Sequence, residues 1–315
     1  MDYAVIAYYH FFSIENPQKE AEEYKIFLAS LGGKGRVYFA HEGVNAQLAV
    51  HKDQLPIYEE YLNRDPRYEG VDVKVQYFDE APFAKLTVKA KKQLVALDCK
   101  VDLSKRGEYI TSDQWAQRIE AKDPKTVILD VRNNYESAIG HFEGAIQPDV
   151  ATFREFTTWL EHFKKEYDPK TTTVLSYCTG GIRCELFSPL MKEAGYDKVY
   201  QLKGGVIRYG EEQGDRHWNG KLFVFDDRLV VSLNNMKDNV INACKFCHHP
   251  EDTYYNCANM DCNDLFVACP SCIKEAKGCC CNNCLQTGRV RYFDPEARYR
   301  PFRKLPFDEK KALSS

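Results

Sequence analysis

The sequence has no apolar run approaching the roughly 18 residues that a membrane-spanning helix needs. It begins without the basic stretch and small-residue cleavage site of a secretory signal, so we expect a cytoplasmic protein with no membrane contact. Its net charge of −3 excludes a uniformly basic nucleic-acid coat. It also lacks the G-x-G-x-x-G fingerprint of a dinucleotide site and a clear histidine and carboxylate pattern for non-haem iron, so no organic cofactor is evident.

The chain of 315 residues exceeds a single domain of about 100–150 residues. Its content of 44% hydrophobic and 28% charged residues is typical of folded globular chains. Over residues 1–84 the hydrophobic pattern predicts the order β-α-β-β-α-β, which is the order of a ferredoxin-like domain. The predicted strands lie at residues 3–9, 36–39, 46–50 and 71–78, and the predicted helices follow Pro17 and Asp53.

From Tyr109 onwards, short apolar strands alternate with helical patterns, which predicts a parallel sheet with helices on both faces. Two buried-looking strands lie at residues 126–129 and 172–177, and the second runs directly into Cys178. In parallel sheets, ligands bind beyond the carboxyl ends of the strands. Cys178 is therefore predicted to lie at the working edge of this sheet.

The loop after this strand has the composition of an anion cradle built around a thiol. Its residues are Cys178, Thr179, Gly180, Gly181, Ile182 and Arg183. The paired glycines let backbone N–H groups turn inwards, and the following helix adds positive charge at its N-terminus. Arg183 would favour the thiolate further, so Cys178 is predicted to be a nucleophile rather than a buried structural cysteine.

Loop length separates the possible thiol chemistries. Four residues lie between Cys178 and Arg183, whereas cysteine-dependent phosphatases need five to enclose a phosphoryl group. The smaller cradle suits a terminal sulfur atom or a small electrophile. The next residue, Cys184, is either an apolar filler or a resolving thiol for oxidised Cys178.

These residues resemble the rhodanese family, whose motifs occur here in the same order. The supporting residues are Asp130-Val131-Arg132, Glu136, Ile139-Gly140-His141, Gly144-Ala145, the Cys178 loop and Leu202-Lys203-Gly204-Gly205. The resemblance implies a rhodanese domain over residues 108–222 that carries sulfane sulfur as a persulfide on Cys178. We expect Glu136 and His141 to hold the loop by hydrogen bonds rather than to act in catalysis.

Ten of the 13 cysteines lie between Cys244 and Cys284, within the region 223–284. In a cytoplasmic chain such clustering indicates metal ligation rather than disulfides. Paired spacing supplies two tetrahedral sites of four thiolates, so we predict about two structural zinc ions, with an iron-sulfur cluster as the alternative. The run of three cysteines at residues 279–281 leaves the last ligands open. The predicted ligands are Cys244, Cys247, Cys257, Cys262, Cys269, Cys272, Cys281 and Cys284.

Taken over its whole length, the chain resembles the rhodanese-related tRNA uridine hydroxylases. Further supporting motifs are Gly35-Arg36-Val37, the stretch Ala40-His41-Glu42-Gly43-Val44-Asn45 and Tyr255-Asn256-Cys257-Ala258-Asn259. The resemblance implies an α/β protein with an acylphosphatase-like, ferredoxin-like N-terminal domain, a central rhodanese domain and a small Cys-rich zinc-binding segment. It also implies formation of 5-hydroxyuridine at the wobble position of tRNA, with molecular oxygen as co-substrate.

Two segments rich in lysine and arginine suit such a substrate. The first is a predicted connector over residues 85–107, which contains Lys91 and Lys92, and the second is the basic aromatic tail over residues 285–315, which contains Arg289 and Arg291. Cations bind phosphates, and aromatic rings stack on the unpaired bases of an anticodon loop, so we expect tRNA rather than DNA. Alternatively, the connector is only a solvated linker and the tail a docking strap.

Three functions are therefore open. The leading hypothesis is an oxygen-dependent tRNA hydroxylase that uses Cys178, and the second is a sulfurtransferase that carries a persulfide on the same thiol. The third is a zinc-stabilised RNA-binding module with a vestigial rhodanese domain, which the intact loop disfavours.

Overall fold

The first 90 residues form a five-stranded sheet packed against two helices. The computed structural model describes residues 1–233 and 239–293. The strand order is β4-β1-β3-β2-β5. The predicted β-α-β-β-α-β order is confirmed, and a fifth strand follows it. The elements are β1 (Tyr3–Phe11), α1 (Pro17–Ser30), β2 (Lys34–Ala40), β3 (Gly43–His51), α2 (Leu55–Asn63), β4 (Lys74–Phe78) and β5 (Leu86–Ala90).

Local signals explain these elements. Asn16 caps α1 by accepting a hydrogen bond from the backbone N–H of Lys19 at 3.0 Å, and Pro17 occupies the first helical turn. Between the helices and the sheet, the hydroxyl of Tyr24 lies 2.7 Å from those of both Tyr8 and Tyr58. These buried hydroxyls satisfy one another, so three tyrosines fill the core without an orphaned polar group.

The predicted connector over residues 85–107 is wrong in its first part, because β5 lies inside it. This strand pairs in parallel with β2, with Leu86 opposite Gly35. Val88 is buried against the core while Lys89 is exposed. The lysines therefore mark the solvent face of a strand, and the high lysine content concealed its alternating pattern.

The central sheet is parallel, as predicted, and has the order β6-β10-β9-β7 with apolar clusters on both faces. A short antiparallel pair, β8 with β11, closes one side. The elements are β6 (Glu108–Ile110), α3 (Ser112–Glu120), β7 (Thr126–Asp130), α4 (Asn134–Ser137), β8 (Gly140–Phe142), α5 (Phe156–Glu166), β9 (Thr173–Tyr177), α6 (Ile182–Glu193), β10 (Lys198–Leu202), α7 (Gly205–Gln213) and β11 (Trp218–Gly220).

The Cys-rich region consists of small hairpins and two short helices. Its elements are β12 (Leu222–Phe223), β13 (Val230–Val231), β14 (Tyr254–Asn256), β15 (Leu265–Val267), α8 (Pro270–Glu275) and α9 (Asn282–Gln286). Tyr254 ties this region to the central domain by donating its hydroxyl to the carbonyl of Tyr135 at 2.6 Å. Most of the predicted basic tail, residues 294–315, lies outside the described residues.

The N-terminal sheet contacts the rest of the chain directly. The guanidinium of Arg36 donates to the carbonyl of Phe225 at 2.8 Å, and the backbone N–H of Asp227 donates to the carbonyl of Pro82 at 2.8 Å. Across residues 1–233 and 239–293, no helix combines the length and apolar character needed to cross a membrane.

Candidate active site

Cys178 occupies the turn between β9, which ends at Tyr177, and α6, which begins at Ile182. Its side chain is 0% exposed, and the backbone N–H of Gly181 donates to its Sγ atom at 3.1 Å. Gly181 has φ of +106°, and a Cβ there would lie 2.7 Å from the hydroxyl of Tyr9. Both the backbone conformation and the available space therefore require glycine at this position.

The surroundings of Cys178 favour its thiolate. Burial alone would raise the pKa of Cys178, but a hydrogen bond from the Cys184 thiol, the charge of Arg183 and backbone N–H groups of both residues outweigh it and lower the pKa to about 5. Burial and the neighbouring Cys178 thiolate raise the pKa of Cys184 well above its ordinary value. Cys184 therefore stays protonated and acts as a hydrogen-bond donor to Cys178.

Arg183 does not lie free at the rim of the cradle. Its guanidinium donates to both carboxylate oxygens of Glu136, at 2.5 and 2.9 Å, and to the hydroxyl of Thr179 at 3.3 Å. Glu136 is fully buried, and its charge holds the pKa of Arg183 above the ordinary value although burial opposes this. Glu136 thus fixes the loop by hydrogen bonding, as expected for it from the sequence.

The other motif residues of this region also support the loop. Arg132 donates to Asp130 at 2.6 Å and to the carbonyl of Gly140 at 2.6 Å, and the hydroxyl of Tyr177 donates to Asp130 at 2.6 Å. His141 contacts the carbonyl of Ser137 through Nδ1 at 2.9 Å. These bonds brace the carboxyl ends of β7 and β9 under Cys178.

The N-terminal sheet forms the opposite wall of the site, which the sequence analysis did not predict. A cavity of 620 Å³ lies between this sheet and the Cys178 loop, within the range of about 300–1,000 Å³ typical of small-molecule pockets. Lys74 reaches the loop from β4, where its Nζ atom donates to the carbonyl of Gly180 at 3.1 Å. Tyr9 reaches it from β1, and its hydroxyl donates to Glu185 at 3.0 Å.

One signal for this wall was present in the pattern of β4. Polar residues Lys74 and Gln76 alternate there with Val75, which packs against the N-terminal core as Val73 does just before the strand. The alternation shows that the second face of the sheet is polar. It does not reveal that the Cys178 loop lies against that face.

Eight of the ten cysteines in the Cys-rich region form two groups of four, and Cys279 and Cys281 belong to neither group. The first group, Cys244, Cys247, Cys269 and Cys272, matches the prediction. The second contains Cys257, Cys262, Cys280 and Cys284, so Cys280 takes the place predicted for Cys281. The side chain of Cys281 is exposed, whereas Cys280 is buried with its Sγ 3.7 Å from those of Cys262 and Cys284. Each group could hold one metal ion.

The predicted tRNA-binding residues have different surroundings. Lys91 and Lys92 are exposed, and the ammonium of Lys91 lies 5.3 Å from the ring centre of Tyr38. Arg289 is 64% exposed and pairs with Asp261 at 2.7 Å. Arg291 is only 5% exposed, and its guanidinium donates to the carbonyl of Cys257 at 3.2 Å. The prediction is wrong for Arg291 as a surface contact, because its donors are used inside the Cys-rich region.

A parallel sheet that presents a buried, ionised cysteine in a short loop before a helix defines a rhodanese-like protein. Three family models match the chain in succession. They are the UPF0176 acylphosphatase like domain over residues 3–94, the rhodanese-like domain over residues 111–212 and the rhodanase C-terminal domain over residues 219–285.

Curated relatives identify a narrower family within this class of proteins. The tRNA uridine(34) hydroxylase of Chlamydia felis is 45% identical over 306 residues, covering 96% of this chain and 94% of that protein. That of Chlamydia muridarum is 45% identical over 305 residues, covering 96% of this chain and 92% of that protein. The chain therefore belongs to the tRNA uridine(34) hydroxylase family. Among solved structures, a protein from Anabaena sp. matches at 22% identity and a TM-score of 0.30, covering 35% of this chain and 91% of that one.

Proposed function

We propose that this protein hydroxylates uridine 34 of tRNA at C5, with molecular oxygen as co-substrate and Cys178 as the nucleophile. The observation that carries the proposal is the ionised Cys178 thiol at the wall of a cavity large enough for a nucleotide base. Two family members at 45% identity bear the corresponding name. The wobble base is unpaired in the anticodon loop, so it can leave its stack and enter a closed site.

The chemistry follows from the electronic structure of uracil. C5 of uracil does not react with oxygen on its own, but addition of the Cys178 thiolate at C6 makes C5 an enolate-like carbon. One oxygen atom then enters at C5, and the other leaves as water as two thiols of an external reductant are oxidised to a disulfide. Loss of the C5 proton re-forms the C5=C6 bond and expels the Cys178 thiolate. A base bound in the cavity that Cys178 lines would be held close to the thiolate.

The two cysteine groups fit structural zinc. Zn–S bonds of about 2.3 Å in a tetrahedron place the sulfur atoms about 3.8 Å apart. In the first group the Sγ atoms of Cys247 and Cys269 are separated by 3.8 Å, and in the second Cys280 lies 3.7 Å from Cys262. Four thiolates fill every position around each ion, so zinc would stabilise the Cys-rich region and take no part in the reaction.

A second function is persulfide transfer. It is favoured by the same loop, since the Gly181 N–H and the Cys184 thiol would stabilise a terminal sulfur anion as well as a thiolate. Mass analysis of nucleosides from tRNA of cells lacking the protein separates the two functions. Loss of 5-hydroxyuridine derivatives supports hydroxylation, and loss of thiolated uridine supports sulfur transfer. Unchanged tRNA contradicts both and leaves an RNA-binding module.

A further inference from the structure

Lys74 is a buried cation that the N-terminal sheet places in the Cys178 cavity. It lies at the start of β4, its side chain is 9% exposed, and it lines the same cavity as Cys178. Its Nζ atom donates to the carbonyl of Gly180, two residues after Cys178, at 3.1 Å. An ammonium group has three donors, so this bond leaves others to face the cavity.

The charge of Lys74 is met by a loose ion pair rather than by a hydrogen-bonded carboxylate. Within residues 1–233 and 239–293, no carboxylate oxygen lies within hydrogen-bond distance of its Nζ atom. Asp72 lies 3.8 Å away, and its carboxylate is bound by Arg208. Burial lowers the pKa of Lys74, which makes its N–H groups stronger donors. A buried cation costs stability unless an anion lies near it, so the position of Lys74 between the loose Asp72 pair and the Cys178 thiolate points to use in the site.

Three other donors near the thiol are already engaged. The guanidinium of Arg183 is held by Glu136, and the N–H of Gly181 is directed at the sulfur of Cys178. The hydroxyl of Tyr9 donates to Glu185. Lys74 is therefore well placed to stabilise negative charge that develops on a bound base.

Building on the proposed function, we propose that Lys74 is a catalytic residue that donates a hydrogen bond to O4 of the uracil base as Cys178 adds to C6. In this step the thiolate electron pair forms the S–C6 bond, and the π pair of C5=C6 shifts to form C4=C5. The π pair of C4=O4 moves onto O4, which becomes an enolate oxygen. Lys74 keeps its proton, no electrons leave the system, and the step needs no oxygen. A fixed donor at a developing oxyanion is a large source of rate enhancement.

Anaerobic exchange at C5 isolates this step. In D₂O the enolate takes a deuteron at C5, then loses the original proton and expels the thiolate, so uridine 34 gains one mass unit without being hydroxylated. The comparison uses wild-type protein, Lys74→Met, Lys74→Arg and a control, Lys34→Met, at an exposed lysine of the same sheet. We expect Lys74→Met to slow exchange by about 10²–10³-fold. Lys74→Arg should recover part of the rate, and Lys34→Met should match wild type.

Two further measurements exclude a purely structural role for Lys74. The rate of alkylation of Cys178 by iodoacetamide at pH 8 and the affinity for tRNA should change by less than about threefold in Lys74→Met, because the thiolate and the loop persist. Unchanged exchange in Lys74→Met would overturn the proposal. So would equal losses of exchange and alkylation, because Lys74 would then only hold the loop.

Hydroxylation by wild-type protein in air tests the proposed function separately on the same tRNA. If wild type hydroxylates in air but shows no anaerobic exchange, covalent addition does not occur and the role of Lys74 is wrong. If wild type exchanges C5 hydrogen but never hydroxylates, the role of Lys74 stands on the Lys74→Met result and the proposed function fails.

Discussion

The guanidinium of Arg183 donates to both carboxylate oxygens of Glu136, at 2.5 and 2.9 Å, although 47 residues separate the two in the chain. Both side chains are buried. Arg183 lies in the first turn of α6 and Glu136 lies in α4, so the pair joins two elements at the working edge of the sheet. It fixes a positive charge beside Cys178 and prevents the guanidinium from turning towards other anions.

Replacing Glu136 should therefore destabilise the central domain. Glu136→Ala leaves Arg183 buried and uncompensated, which typically costs about 3–5 kcal/mol. Urea unfolding followed by fluorescence measures this loss. Glu161→Ala serves as the control, because its exposed pair with Lys164 should contribute only about 0.2–1 kcal/mol. Equal losses in the two variants would contradict the buried pair's structural importance.

The ionised state of Cys178 predicts an unusual pH profile for its alkylation. With the pKa lowered to about 5, the thiolate is present above that pH, so the iodoacetamide rate should be nearly constant from about pH 7 to about pH 9 and fall as the pH drops through 5. Burial raises the pKa of Cys99, so its rate should still be rising at the alkaline end. Mass spectrometry of the two peptides from one reaction compares them directly.

Replacing Cys184 tests why the pKa of Cys178 is low. In Cys184→Ala the donor to the thiolate is lost, and the alkylation midpoint of Cys178 should move to higher pH. An unchanged midpoint would show that Arg183 and the backbone N–H groups suffice without it.

The metal content of two variants should distinguish the roles of the adjacent residues Cys280 and Cys281. Cys280→Ser removes a member of the second group, so zinc should fall from about two ions per chain to about one. Cys281→Ser should retain both, because its side chain is exposed and outside the group. Metal analysis of the purified variants gives the counts. Iron with visible absorption in wild-type protein would instead indicate an iron-sulfur cluster.

Features encoded by neighbouring residues were predictable from the sequence. The Cys178 loop needs glycines and a following helix within six residues, and the strand before it, Thr173–Tyr177, is short and rich in β-forming residues. The order of strands and helices in the N-terminal domain likewise follows from the hydrophobic pattern and from Pro17 at the start of α1. Such patterns are predictable because the residues that cause a helix or turn to form are neighbours in the sequence.

Features that depend on packing between distant segments were not predictable from the sequence. Lys74 and Gly180 are 106 residues apart, and no local pattern indicates that they meet. Three consecutive cysteines precede Cys284, so the choice of Cys280 depends on which sulfur atom the turn before α9 brings close to those of Cys262 and Cys284. Arg291 belongs to a basic segment, yet its donors satisfy carbonyls of the Cys-rich region. Composition cannot reveal such a contact.

Affinity for tRNA should fall steeply with salt, because lysines that neutralise phosphates release counterions. The double variant Lys91→Glu and Lys92→Glu should weaken binding and lower the slope of log affinity against log salt by about 1–2. The control is Lys122→Glu with Lys125→Glu, an exposed pair just before β7, at the edge of the sheet opposite Cys178. Filter binding at several salt concentrations measures both. A slope that is the same in wild type and both variants would exclude Lys91 and Lys92 from the interface.

The last prediction concerns which form of Cys178 reacts. Cys178→Ser should abolish hydroxylation and leave tRNA affinity nearly intact, because serine does not ionise at neutral pH while the cradle and basic surface remain. Cys99→Ser should retain activity, since its half-buried thiol lies outside the cavity. A fully active Cys178→Ser protein would exclude both a direct and a persulfide role for this residue.

Direct attack and persulfide chemistry then differ in the species that accumulates. If the thiolate adds to C6, tRNA containing 5-fluorouridine should form a covalent complex whose crosslinked peptide contains Cys178. If Cys178 carries sulfur, no such complex forms, and cyanide should remove one sulfur atom from the purified protein as thiocyanate and regenerate the thiolate. The Gly181 N–H at 3.1 Å stabilises either anion, so the loop alone does not decide between them. Lys74 lines the same cavity, and its proposed donation to O4 belongs only to the covalent route, so anaerobic exchange at C5 is expected together with the covalent complex and not with the persulfide.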